Sequence, residues 1–111
     1  MNIIMEEKLY NLGVIEVMDL SHKGFMSYNR AKKIRKDVYG GRPWRLPKSS
    51  EIFYFGDLSK NYGMNILDNR SYYWTDTAFY LSQIFAYSPN GNALNMDAGR
   101  AGALLILVRD I

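Results

Sequence analysis

The stretch Gly40-Gly41-Arg42-Pro43-Trp44-Arg45-Leu46-Pro47-Lys48-Ser49-Ser50-Glu51 lies between two helical patterns and carries two glycines, two prolines and a tryptophan. Gly40 can take the left-handed conformation that ends a helix. Pro43 and Pro47 each remove a backbone donor and push the preceding residue, Arg42 or Leu46, into an extended shape. Trp44 and Leu46 then stand two apart on an extended segment, so both side chains point to one side. The stretch reads as a rigid connector that inserts an aromatic and an aliphatic group into a core.

Before it, Leu12–Met18 is rich in β-branched residues and reads as a strand, and Asp19–Gly24 as a polar loop. Ser27 offers a helix N-cap, and Tyr28, Ala31, Ile34 and Val38 form one stripe of a helix ending near Tyr39. The connector is followed by a second helix, capped by Ser49 or Ser50, with Glu51 in its first turn. Ile52, Phe53, Phe55 and Leu58 are its core face, and Gly56 is expected to end it near Leu58. Ser59–Arg70 reads as an irregular loop. Tyr72–Thr77 then predicts an aromatic strand and Tyr80–Tyr87 another, with an Asn90-Gly91 hairpin signal leading back along Asn92–Met96. Leu104–Val108 is nearly all apolar, as expected of a closing strand buried on both faces. The element order makes the chain α+β.

The 111 residues fit one domain, 1–111, with 1–11 as a loosely ordered leading segment. No apolar run is long enough to cross a membrane, and Met1–Lys8 lacks the pattern of a signal peptide. The absence of cysteine excludes disulfides and thiol chemistry. These features lead us to expect a cytoplasmic or phage-associated protein. Charge is unevenly spread. Between His22 and Lys48 nine Lys or Arg face a single acid, Asp37, a local balance of +8, while the remaining five basic and ten acidic residues give −5. A basic quarter of this kind can attract nucleic acid or another anionic partner.

Three segments match one pattern in order: Met26-Ser27-Tyr28-Asn29-Arg30-Ala31, Trp44-Arg45-Leu46-Pro47 with Glu51 four residues on, and Tyr73-Trp74-Thr75-Asp76-Thr77 closed by Val108-Arg109-Asp110. Together they resemble bacterial C-type-lectin-like domains, a group that includes formylglycine-generating-enzyme-like proteins and the variable proteins of diversity-generating retroelements. The resemblance spans roughly residues 12–111. It implies two helices packed on a small twisted antiparallel sheet with the terminal strands paired. The residues of these motifs, Trp44, Arg45, Leu46, Pro47, Glu51, Trp74, Arg109 and Asp110, read as structural: Trp44, Leu46 and Trp74 as core, Arg45 as paired to Glu51 or Asp110, and Arg109 and Asp110 as closing the terminal strand.

The resemblance brings no activity. The copper chemistry of formylglycine-generating enzymes needs cysteines that this chain lacks. Ser88-Pro89-Asn90 lacks the carboxylate of a calcium-lectin site and reads as a hairpin turn. His22, the one histidine, lies in a polar loop near Asp19 and Ser21, and Asp57, Asp68, Asp76 and Asp97 are scattered singly. We therefore expect no enzyme, no metal and no cofactor.

Nine tyrosines are present, several beside asparagines in the second half, a mixture favoured on recognition surfaces. In the resembling variable proteins, the region after the aromatic strand displays the ligand-contacting residues. The first expectation is thus a non-enzymatic binding module that takes a protein, or secondarily a glycan, such as a small phage-type inhibitor of a host protein. Its contact surface would be Tyr72, Tyr73, Asp76, Tyr80, Tyr87, Asn90, Asn92 and Asn95. The alternative is nucleic-acid or anionic-partner binding through helix 28–39, using Arg30, Lys32, Lys33, Arg35 and Lys36.

Overall fold

The computed structural model describes residues 8–40, 43–68, 70–80, 83–97, 99, 100 and 102–111, and for 77–80, 83, 95 and 96 the backbone alone. Gly41 and Arg42 of the connector therefore fall outside the described residues. In chain order the elements are β1 (Lys8–Asn11), β2 (Ile15–Asp19), α1 (Tyr28–Tyr39), α2 (Ser49–Asn61), β3 (Tyr73–Tyr80), β4 (Gln83–Tyr87), β5 (Ala93–Asp97) and β6 (Ile106–Asp110). The fold is α+β. Its strands form two antiparallel three-stranded sheets, β1-β2-β6 and β3-β4-β5.

The early strand and the closing strand do pair, with Val17 opposite Val108. Part of the leading segment expected to be loose is instead β1, which pairs Leu9 with Met18 and satisfies the outer edge of β2. The two sheets meet where Trp74 N–H donates to the Leu104 carbonyl at 3.1 Å and Leu104 N–H donates to Tyr72 at 2.8 Å.

β6 separates two cores. Its neighbour on one side is β2. On the other is the connector, where Arg45 N–H donates to the Val108 carbonyl and Val108 N–H donates to the Arg45 carbonyl, both at 2.8 Å. Because a strand alternates its side chains, Leu105 and Leu107 join Trp44, Leu46, Trp74 and Met18 on one face. Leu104, Ile106 and Val108 join Val17, Ile52, Phe55 and Tyr73 on the other. The apolar run is central and buried on both faces, as its composition predicted. Trp44 and Leu46 enter the same core, again as expected of residues two apart on an extended segment.

α1 begins and ends on the predicted residues. Ser27 Oγ accepts from Arg30 N–H at 3.2 Å, and Gly40 closes the helix in the left-handed region at φ 66°. Ala31 is fully buried, with Tyr28 and Ile34 packed beside it. Val38, expected on the same stripe, is 59% exposed, and Tyr39 packs on the core instead. Helical spacing sets the face, whereas a neighbour opposite the last turn is a tertiary matter.

α2 departs further from expectation. Its N-cap is Lys48 rather than a serine, and the Glu51 carboxylate accepts from Lys48 N–H at 2.7 Å. The glutamate half of a capping box holds this end without a hydroxyl cap. Gly56 does not stop the helix, which continues to Asn61. A methyl group added at Gly56 would come within 2.4 Å of Pro89 Cβ and 3.0 Å of the Pro89 backbone. The glycine is therefore where the β4–β5 turn rests against the helix. That turn has the expected Asn90-Gly91 chemistry, with Gly91 at φ 100° and its N–H donating to the Ser88 carbonyl. Phe53, expected in the core face, is instead 36% exposed and meets Tyr87 edge-on. After the helix, Ser59 Oγ accepts from Ile66 and Leu67 N–H at 2.8 and 3.0 Å, folding the irregular segment back onto the second core.

A Gly56→Ala substitution separates helix propensity from packing. Propensity alone would stabilise the helix by about 1 kcal/mol. Collision with the rigid Pro89 ring and its backbone should dominate, lowering unfolding free energy by roughly 1–3 kcal/mol in urea titration. A more stable variant would show that the close approach does not constrain the fold.

Candidate functional site

The connector forms a charged junction before it forms a surface. Arg45 points away from the core that holds Trp44 and Leu46, and its two terminal guanidinium nitrogens donate one to each Glu51 oxygen at 2.7 Å. A longer contact of 3.4 Å reaches Asp110. The expected choice between Glu51 and Asp110 resolves as both. Hydrogen bonding to Glu51 raises Arg45 above the usual arginine range. For Glu51 the largest influence is burial, which acts upward. The Arg45 guanidinium and the Lys48 N–H outweigh it, leaving the carboxyl below the usual range. Arg109 pairs with Glu16 and lies 4.8 Å from the centre of the Trp44 ring. Arg45 and Arg109 are thus structural cations.

The cations of α1 differ. Arg30, Lys32, Lys33 and Lys36 are exposed, and none has an ion-pair partner among the described residues. Lys32 Nζ stands 5.5 Å from the centre of the Tyr28 ring, one helical turn back, and that ring meets Trp74 at 5.8 Å. Burial, with the Asp76 carboxylate second, raises the Tyr28 hydroxyl above its usual range. Lys32, Lys33, Arg35 and Lys36 border a groove of about 680 Å³, with Tyr28 and Leu46 also lining it. Asp37, Arg45 and Asp76 complete the lining. Asp76 is held there because its N–H donates to the Pro47 carbonyl at 3.0 Å, so the connector positions the wall opposite the helix.

The described members of the expected tyrosine and asparagine surface differ in their surroundings. Tyr73 must be withdrawn from it: the residue is 2% exposed in the second core, and its hydroxyl accepts from Asp68 N–H at 2.9 Å. Strand alternation sends Tyr73 into the second core and Trp74 into the first, so this stretch of β3 is buried on both faces. Tyr72 and Tyr87 are half-buried against the two cores. Asn90 accepts from Ser88 Oγ and, at 3.3 Å, from Asn92 Nδ2, which ties both asparagines to the hairpin turn while leaving them exposed. The side chains of Tyr80 and Asn95 lie outside the described residues. Asp76 belongs to the α1 groove.

A second, polar cavity of about 620 Å³ lies between Asp19, Ser21 and the segment Asn65–Asp68. Its carboxylates serve the backbone: Asp19 accepts from Ser21 N–H at 2.9 Å, and Asp68 from Arg70 N–H at 3.0 Å and Ser71 Oγ at 3.2 Å. His22 sits in a 3-10 turn, Ser21–Lys23, and its side chain makes no hydrogen bond among the described residues. Among those residues no group of three or more His, Asp or Glu could hold a metal ion, and no helix is long and apolar enough to cross a membrane. A comparison with protein-family models and a search of curated proteins find no match for this chain.

Sequence reading assigned Tyr28 and Leu46 to the core and Asp76 to a different surface. One local signal for the groove was present, the Tyr28–Lys32 spacing of four on a helix. Asp76 had none, because a backbone bond to Pro47 across the fold brings it there.

Two titrations test these environments. Glu51 is depressed in the folded state, so its stabilisation is present above the ordinary glutamate value of about 4.3 and is lost as pH falls through the lower folded value. Wild-type protein should lose melting temperature more steeply than Glu51→Gln below that point. At neutral pH the variant should be less stable by about 2 kcal/mol, between the values of exposed and buried pairs. Parallel acid limbs would contradict the assignment. Burial pushes Tyr73 up to about 12. Its stabilisation is full below the ordinary tyrosine value of about 10 and disappears as pH rises through the folded value. Alkaline melts should lose this limb in Tyr73→Phe, and the same variant should lose the latest-titrating hydroxyl from the tyrosinate absorbance of the wild type.

Proposed function

We propose that the chain is a non-enzymatic binding module that takes an anionic partner in the groove between α1 and the connector. The observation that carries this reading is the set of exposed cations Arg30, Lys32, Lys33 and Lys36, which have no ion-pair partner among the described residues and three of which border a groove of about 680 Å³. Lysines that merely solubilise a helix face need no concave surface beside them. A concave wall focuses their field and raises the local concentration of an anionic partner.

On this reading the scaffold is C-type-lectin-like. What supports that is the convergence of the three resembling segments: Arg45 bonds Val108, while Trp44 and Trp74 share one core. The protein-binding reading through the β-region keeps one supporting observation, the exposed Asn92 and Leu94 on or beside β5, an edge strand of its sheet. It has lost Tyr73, and so ranks second.

Heparin affinity tests the first reading. Lys32→Glu/Lys36→Glu should elute at clearly lower salt than Lys8→Glu/Lys60→Glu, which changes net charge equally at exposed positions outside the groove. Identical elution of the two variants would mean that net charge alone is being read, and that the groove is not a binding surface.

A further inference from the structure

We infer that the occupant of the α1 groove is an acidic, amphipathic peptide segment of a protein partner. The inference rests on the groove being the working surface, and four features of that groove select the ligand.

The first is the spacing of the cations. Lys32 and Lys36 are one helical turn apart, about 6 Å along the axis. Side chains at alternate positions of an extended peptide, which share one face, are separated by about 6.6 Å. Two carboxylates on one face of an extended segment therefore meet both lysines, with Lys33 beside them. The second is the lining of the groove. Tyr28, half-buried, and the edge of Leu46 are its apolar part, and an amphipathic segment would lay an aliphatic side chain against them.

The third is the state of the only aromatic ring bordering the groove among the described residues. Single-stranded nucleic acid draws much of its affinity from bases stacked on open aromatic faces. Tyr28 has the Lys32 ammonium over its ring and Trp74 against it. The fourth is Asp76. It is exposed on the wall opposite the lysines, and Asp37 borders the same space. A phosphate backbone is negative at every step and is opposed by both carboxylates. A peptide can set a backbone N–H or a basic side chain against Asp76 while its own carboxylates face the helix. The groove carries charge of both signs, with Asp76 on β3 and Asp37 among the cations of α1, and a polymer of mixed side chains matches both signs where a uniformly negative backbone does not.

The test is selection of a short random-peptide library on the immobilised protein, with a random single-stranded DNA pool bound in parallel at the same salt. Enriched peptides should combine Asp or Glu with aliphatic residues and carry a Lys or Arg. Lys32→Glu/Lys36→Glu should weaken them by about tenfold or more. Asp76→Asn should weaken the same peptides several-fold while strengthening DNA binding, a crossing of effects that loss of folding cannot produce. Circular dichroism on each variant checks the fold.

DNA bound as tightly as the best peptides, peptides unaffected by Asp76→Asn, or no enriched peptide at all would overturn the peptide inference and leave the anionic groove standing. Peptides without acidic bias that bind equally to wild type and Lys32→Glu/Lys36→Glu, together with DNA binding equally unaffected, would overturn the groove itself.

Discussion

The pair of 2.8 Å hydrogen bonds between Arg45 and Val108 is the constraint on which the other features depend. β6 needs a partner on each side to bury a run of apolar residues without leaving backbone groups unpaired. β2 supplies one side, and a single residue of the connector supplies the other. Once Arg45 is docked as a one-residue strand, alternation does the rest. Trp44 and Leu46 must enter the first core, and the Arg45 side chain must leave it. The guanidinium then meets Glu51 at the start of α2 and Asp110 at the end of β6, so one side chain ties together the three segments that converge there.

The same docking builds the candidate site. Pro47, two residues beyond Arg45, accepts from Asp76 and fixes one wall of the groove. Gly40 ends α1 just before the connector, so the basic face of that helix forms the other wall. A rigid element between two helices thus has two products: a core closed around β6, and a concave surface in which cations on a helix face a carboxylate on a strand. Local signals set the helix of one wall, but no local motif brings the two walls together. The groove is a by-product of how the connector closes the fold.

The misreadings have physical origins. Gly56 looked like a helix stop because glycine is a poor helix former, yet here it is the point where Pro89 lies too close for a Cβ. Lys48 replaced a serine cap because Glu51 can satisfy the Lys48 N–H from within the helix. Tyr73 reads as a contact residue from composition, and the second core, which covers its face of β3, buries it. At Gly56 and Tyr73 distant neighbours decided among options that the local residues left open, whereas at Lys48 the deciding group lies three residues away.

What the sequence determined by itself is local and periodic. The Ser27 cap, the Gly40 stop, the inward pair Trp44 and Leu46, the Asn90-Gly91 turn and the two-faced burial of Leu104–Val108 all follow from backbone preferences and side-chain spacing. These act between residues a few positions apart. Tertiary structure alone decided that the strands divide into two sheets, that Lys8–Asn11 joins one of them, and that Asp76 faces α1. Those outcomes depend on hydrogen bonds between groups tens of residues apart, such as Asp76 to Pro47 and Arg45 to Val108. No spacing along the chain encodes which unpaired backbone group a distant strand will find.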